Sequence, residues 1–142
     1  MVKEHSKLVK SHFEKEYKEY DELIRKLIPK CTEMHNLIVE LVDFQKDKKL
    51  NILDLGIGTG QTALHLLEKF PNAKLDGLDI SPKMMGQAKI RLKNYLNRVT
   101  FSEQDIKDLI VNKKYDVCIA VLSIHHLDEK QKSVLFKKIF DN

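Results

Sequence analysis

Residues Asn51-Ile-Leu-Asp-Leu-Gly-Ile-Gly-Thr-Gly-Gln-Thr62 read "NILDLGIGTGQT". An apolar run carries one aspartate, Asp54, then gives way to glycines at alternate positions, Gly56, Gly58 and Gly60. The run reads as a strand and the glycines as a sharp turn into a helix, open enough for a ligand to approach the backbone. In a doubly wound sheet such a turn lies where ligands bind, and the unpaired N–H groups of the next helix suit a carboxylate or phosphate. A phosphate-cradling loop requires Lys-Ser/Thr after the last glycine, whereas Gly60 is followed by Gln61-Thr62. A dinucleotide turn requires Gly or Ala where the long side chain of Gln61 stands. Asp79, ending the next apolar run, is placed to grip a ribose under either nucleotide reading and does not discriminate between them. Asp54, two residues before the first glycine, points away from the dinucleotide reading, so a nicotinamide-dependent oxidoreductase is disfavoured.

The strand–helix alternation continues outward from the loop. Leu50–Leu55 is followed by helical spacing from about Gln61 to Phe70, closed by Pro71. Lys74–Leu78 reads as a second strand, after which Ser81 is a good N-cap and Pro82 suits the first helical position. Met84, Met85, Ala88, Leu92 and Leu96 fit one face of that helix. Val99–Ser102 and Tyr115–Leu122 read as third and fourth strands, with a short helical stretch from Ile106 to Ile110 between them. Asp128, with Gln131 three residues on, predicts a capping box at the start of a last helix. The pattern implies an α/β fold: a Rossmann-like doubly wound parallel sheet with helices on both faces.

Ahead of the sheet, Val9, Phe13, Tyr17, Tyr20, Ile24 and Leu27 recur at helical steps and predict one apolar face. Pro29 interrupts them, and Met34, Leu37, Ile38, Leu41, Val42 and Phe44 predict a second face. Residues 1–48 therefore read as an N-terminal helical cap and residues 49–142 as the core. A length of 142 residues suits one domain, and 42% hydrophobic residues suffice for a real core. No apolar run approaches the roughly 20 residues of a membrane-spanning helix, and the N-terminus carries no apolar signal core. The net charge of +4 is spread through segments of mixed sign such as Glu14–Glu19, which read as solvated helix rather than a nucleic-acid surface. Cys31 and Cys118 have no metal-ligand spacing, and Cys118 sits in an apolar run as a small core residue would. A reduced, cytoplasmic protein with no metal is expected. His5, His12, His35 and His65 have no partners visible in the sequence.

Four stretches together carry a family resemblance: Ile52–Gly60, Gly77–Met85 (GLDISPKMM), Glu103–Ile106 (EQDI), and Tyr115-Asp-Val through His125-His-Leu-Asp128. In this order and at these strand ends they resemble the class I S-adenosylmethionine (SAM)-dependent methyltransferases, from about Leu50 onward. Tyr20-Asp-Glu-Leu-Ile24 and Leu27-Ile-Pro29 further resemble the subgroup containing the tRNA wobble-uridine enzymes that use carboxylated SAM. The resemblance implies that Asp54 and the backbone of Gly56, Ile57, Gly58 and Gly60 hold the methionine part of SAM. It implies that Asp79 accepts from both ribose hydroxyls, with Ile80 and Met84 against the adenine. Asp105 would accept from the adenine amino group beside the Ile106 backbone, and Leu122 would border the methyl-transfer space. Met84 and Met85 serve equally as core fillers, and Asp105 as a helix N-cap. His125 and His126 stand where a general base could act, which helps only when the acceptor must lose a proton. Methyl transfer is otherwise an in-line displacement driven by alignment and desolvation.

Two departures bear on this expectation. Where the wobble-uridine subgroup has Ile-Pro-Gly-Tyr, this chain has Ile28-Pro29-Lys30-Cys31, so the tyrosine contact does not carry over; the carboxylated cofactor is unsupported because the arginine that the resemblance would assign to it falls in a region absent here. The family's sheet has seven strands in the order 3-2-1-4-5-7-6, and four are recognised here, giving an incomplete 3-2-1-4. The expected protein is thus a C-terminally truncated methyltransferase acting on a small-molecule or tRNA acceptor, or else a non-catalytic SAM-binding fragment needing a partner. No membrane contact is expected, and self-association through the exposed fourth strand is.

Overall fold

Four successive residues of the first strand, Ile52 to Leu55, are buried, so the strand must be covered on both faces and flanked on both edges. A computed structural model of the chain shows how; it describes residues 2–141, apart from the side chains of residues 2, 3, 5 and 16. The side chain of His5 thus lies outside the described residues. The elements run α1 (Val2–Glu16), α2 (Tyr20–Leu27), α3 (Cys31–Leu41), β1 (Asn51–Leu55), α4 (Gln61–Lys69), β2 (Lys74–Asp79) and α5 (Pro82–Arg91). β3 (Val99–Glu103), β4 (Val117–Ile119) and α6 (Glu129–Phe140) follow, with 3-10 turns at Lys93–Arg98, Ile106–Asp108 and Ile124–His126. All pairings are parallel and the order is β3-β2-β1-β4, as expected. The chain moves outward from β1 to β3 and then crosses back to β4, so the strand order reverses beside the loop that follows β1.

Alternation along β1 divides the core. Ile52 packs with Leu75 and Ile119 under Leu66, Leu67 and Phe70 on one face. Leu53, Leu55 and Leu78 meet Leu109, Leu127 and Leu135 on the other. Each such side chain contributes roughly 1.5–3 kcal/mol on burial. Asp54 shares the face of Ile52 and is the one charged residue in the strand. The predicted caps form: Ser81 Oγ accepts from Met84 N at 3.2 Å. Asp128 Oδ1 accepts from Gln131 N at 2.8 Å while Gln131 Oε1 accepts from Asp128 N at 2.9 Å.

Four expectations are corrected. β4 is shorter than Tyr115–Leu122, because it pairs only with Ile52 to Asp54 and the chain turns at Leu122, whose φ is +54°. As the edge strand it leaves Cys118 half-buried, and Cys31 is the cysteine in the core. The first cap helix breaks between Glu16 and Tyr20. The stripe of α3 that faces inward is Cys31, His35 and Val39, at four-residue spacing, which turns Leu37 and Leu41 to the surface. Here His35 Nδ1 and Thr62 Oγ1 share a hydrogen bond of 2.6 Å, and Lys69 Nζ donates to Val39 O at 2.8 Å and Val42 O at 2.9 Å.

Lys30 precedes α3 in the left-handed conformation, φ 58°, at the position where the related subgroup has glycine. A left-handed Cβ costs about 1–2 kcal/mol, and glycine's extra freedom in the unfolded chain returns part of that. Lys30→Gly should therefore stabilise the protein by roughly 0.5–1 kcal/mol in urea unfolding; an unchanged or lower midpoint contradicts the strain.

Candidate functional site

The glycine loop is shaped by the end of β2. Gly56 N and Ile57 N both donate to Leu78 O at 2.9 Å. Gly58 N donates to Asp79 Oδ2 at 2.8 Å, and Ser81 N donates to Asp79 Oδ1 at 2.9 Å. One carboxylate thus joins the turn after β1 to the turn after β2. Two close approaches explain glycines here: a Cβ on Gly56 would lie 2.5 Å from Ser123 Cβ, and one on Gly77 would lie 2.4 Å from Ile57 Cδ1. Ser123, fastened to Leu55 O through Oγ at 2.5 Å, holds the turn after β4 against the loop.

These turns enclose a cavity of about 490 Å³, within the range of small-molecule sites. Gly56, Gly58, Asp79, Ile80, Met84, Asp105, Ile106 and Leu122 border it, as do both candidate bases, His125 and His126. Asp54 and Ile57 border an adjoining space of about 50 Å³ that reaches the same loop. Gly60 borders neither: a Cβ there would sit 3.1 Å from Ala88 Cβ, so Gly60 serves the packing of the loop against α5. Met84 lines the cavity whereas Met85 belongs to the core, which separates two residues of equal standing in the sequence.

The carboxylates differ in environment. Burial, and then the nearby charge of Asp79, push Asp54 up to about 7. Burial also raises Asp79, although bonds from the backbone of Ser81, Gly58 and Ile80 oppose it. For Asp105 burial is outweighed by bonds from Lys107 and Ser6, and its carboxyl lies below the usual range. Lys107 Nζ donates to Asp105 Oδ2 at 2.5 Å and Lys107 N to Oδ1 at 3.2 Å, so Asp105 is both the N-cap of its 3-10 turn and a cavity carboxylate. Among the described residues no group of His, Cys, Asp and Glu is arranged to hold a metal.

The cap roofs the cavity through Ser6, Val9, Phe13 and Tyr20; the sequence marks the last three only as an apolar helix face, not as a cavity wall. Residues 6, 10 and 14 of α1 lie on one face and reach the carboxyl ends of β3 and β2. Lys107 Nζ donates to Ser6 Oγ at 2.6 Å, Lys10 Nζ donates to Glu103 Oε1 at 2.5 Å, and Ser81 Oγ donates to Glu14 Oε1 at 2.6 Å. On the inner side Phe13 packs edge-on to His126 and Tyr20, with ring centroids 5.7 and 5.8 Å apart. Burial, then the charges of Asp79 and Asp21, push the Tyr20 hydroxyl up to about 12. The polar row at four-residue spacing was the available signal, but its partners lie 67 to 101 residues away.

A parallel sheet whose order reverses at a glycine loop, with a carboxylate at or just beyond the carboxyl end of each of its first three strands, has the architecture of a Rossmann-like ligand site. The family model described as "Methyltransferase domain" matches residues 52–142, and the chain belongs to that family. It is 32% identical over 114 residues to a malonyl-[acyl-carrier protein] O-methyltransferase of Acetivibrio thermocellus, covering 80% of this chain and 38% of that protein. It is 25% identical over 123 residues to a carboxy-S-adenosyl-L-methionine synthase of Campylobacter lari, covering 87% of this chain and 52% of the relative. The chain thus spans about half or less of the length of these curated relatives. The solved structure "DhpI-SAM-HEP complex" superposes with a TM-score of 0.72 at 21% identity, over 96% of this chain and 58% of that one, a likeness of fold.

The residues present fit SAM. Asp54 and Asp79 offer carboxylates to a cationic methionine end and to ribose hydroxyls, and Ile80, Met84 and Ile106 offer apolar surface to a base. Asp79 already accepts from the backbone of Gly58, Ser81 and Ile80 but keeps further lone pairs.

The raised pKa of Asp54 has a defined sign. Its folded form favours the proton, so the stabilisation is complete below the ordinary carboxylate value of 3.8 and is lost as pH rises to about 7. Without ligand, the stability of the wild type relative to Asp54→Asn should fall between pH 4 and 7 and level off above; parallel pH profiles would contradict this.

Proposed function

We propose that this chain binds S-adenosylmethionine and forms the cofactor-holding portion of a methyltransferase. The observation that carries the reading is the Asp79 carboxylate, which ties Gly58 and Ser81 together on the floor of a cavity that Asp105 also borders. Family membership and the relatives named as methyltransferases support it. SAM, when bound, supplies a methyl group on a positively charged sulfur: an acceptor electron pair bonds to that carbon while the C–S pair remains on sulfur. Asp54 would face the positively charged methionine end and Asp79 the ribose hydroxyls, Ile80 and Met84 would offer apolar surface to the base, and Leu122 would border the methyl-transfer space. α1 and α2 exclude water from above, which sharpens every charge interaction below them.

For the acceptor we propose a carboxylate oxygen on a small acyl group, supported by the relatives named for malonyl-[acyl-carrier protein] O-methylation. A carboxylate carries no proton at neutral pH, so His125 and His126 need only shape the wall. A small-molecule amine or a tRNA base would instead give one of them a proton to accept; a tRNA adenine-N6 methyltransferase of Pedobacter heparinus, 36% identical over 80 residues, supports that variant. A second reading, a SAM-binding fragment without turnover until a partner or further chain covers β4, is favoured by the open edge of that strand. Self-association through β4 belongs to the same proposal.

Calorimetry should show binding of SAM and S-adenosylhomocysteine and none of NAD. Asp79→Asn should weaken SAM binding by about tenfold or more, as expected for hydrogen bonds to a charged group. Equal binding of NAD, or an unchanged affinity in Asp79→Asn, would contradict the site. Turnover with a malonyl thioester but not with tRNA would support the carboxylate acceptor, and the reverse would overturn it.

A further inference from the structure

None of the described residues of α2 is buried, although the helix forms part of the roof. Tyr20, Leu23 and Ile24 are half-buried, so the apolar face of α2 rests on the core without being sealed into it. A three-sided polar clasp fixes it in addition. Thr59 Oγ1 donates to Asp21 Oδ1 at 2.6 Å. Arg91 Nη1 donates to Thr59 O at 2.6 Å and to Thr59 Oγ1 at 2.7 Å, while Arg91 Nη2 pairs with Asp21 Oδ2. The three residues come from α2, the glycine loop and the last turn of α5. The Asp21 and Arg91 side chains are 26% and 28% exposed, so the pair is neither solvated on all sides nor sealed in the core.

Asp21 follows Tyr20, which borders both the larger cavity and the small space beside Asp54. Arg91 borders neither space and can influence a ligand only through Thr59 and Asp21. Thr59 lies between Gly58, held by Asp79, and Gly60, packed on α5. We propose that Asp21 and Arg91 are positioning residues: their clasp on Thr59 holds Tyr20 and α2 closed over the SAM site, and its opening sets how fast the cofactor leaves. The inference rests on SAM as the ligand, but the closure itself is a property of the free protein.

The geometry favours this use. A guanidinium presents a rigid fork that can bond a carboxylate and a loop carbonyl together, so orientation as well as charge is specified. A partly exposed pair of this kind is worth far less than a packed core, so the roof can open without unfolding the sheet. Ser6, Lys10 and Glu14 fasten α1 to Lys107, Glu103 and Ser81, and none of these bonds reaches α2, which is left to the clasp.

The test uses the intact chain with Arg91→Gln, Asp21→Asn, the double variant, Arg91→Lys, and Lys26→Gln as a control that removes an exposed pair within α2. Hydrogen exchange without ligand should show the amides of residues 20–27 exchanging about tenfold faster in Arg91→Gln and Asp21→Asn, with those of residues 52–55 unchanged. Stopped-flow release of SAM should accelerate by a similar factor, about tenfold, with the double variant no faster than either single one. Arg91→Lys, which keeps the charge but loses the fork, should recover only part of the effect, and Lys26→Gln should match the wild type. Unchanged exchange in α2, unchanged SAM release, or additive effects in the double variant would each overturn the proposal. If wild-type protein binds no SAM, the functional reading fails, and the exchange of residues 20–27 still decides whether the clasp closes the roof.

Discussion

The bond from Gly58 N to the Asp79 carboxylate is the constraint on which the remaining structure of the site depends. It brings the turn after β1 under the end of β2, and the second oxygen of the same carboxylate orients Ser81 at the start of α5. Ser81 in turn accepts from Met84 N and donates to Glu14 of the cap. A single buried acid thereby joins the glycine loop, the start of α5 and the roof. The arrangement explains why a carboxylate only 8% exposed is tolerated: its charge is met by oriented N–H groups rather than by water.

Charge also separates the ligands that such a loop could take. Asp54, 3% exposed, stands before the first glycine, where a dinucleotide would bring its pyrophosphate. Two negative groups in a low-dielectric space repel strongly, whereas an ammonium or sulfonium would favour the ionised form of Asp54. The same carboxylate that destabilises the empty protein near neutral pH is thus the one that a cationic ligand relieves. Sequence and electrostatics agree here for different reasons: Gln61 obstructs the helix–strand packing of a dinucleotide turn, and Asp54 opposes its charge.

What could be read from the sequence was local in origin. Ser81-Pro82 and Asp128 with Gln131 announce their helices because an N-cap is satisfied within three residues. The parallel sheet was legible from short apolar runs alternating with helical spacing, and the loop from the glycines. The roof was not, because its ties cross long separations: Asp21 and Arg91 are 70 residues apart, and each looks like ordinary surface charge in its own segment. The inward stripe of α3 is not legible in the sequence because His35 and Cys31 are less apolar than Leu37 and Leu41, yet the bond between His35 and Thr62 makes the polar stripe the buried one. The length of β4 is not legible either, because an apolar run does not reveal where its partner strand stops pairing.

The central claim, that SAM lies on the loop shaped by Asp79 and beneath the cap, is tested most directly by amide chemical-shift mapping during titration with S-adenosylhomocysteine. The account predicts that the largest shifts fall at Gly56, Gly58, Ile80 and Ile106, joined by Tyr20 in the roof, and saturate together. Shifts confined to the outer surface of α3 or α6, or a silent glycine loop in the presence of bound ligand, would contradict it.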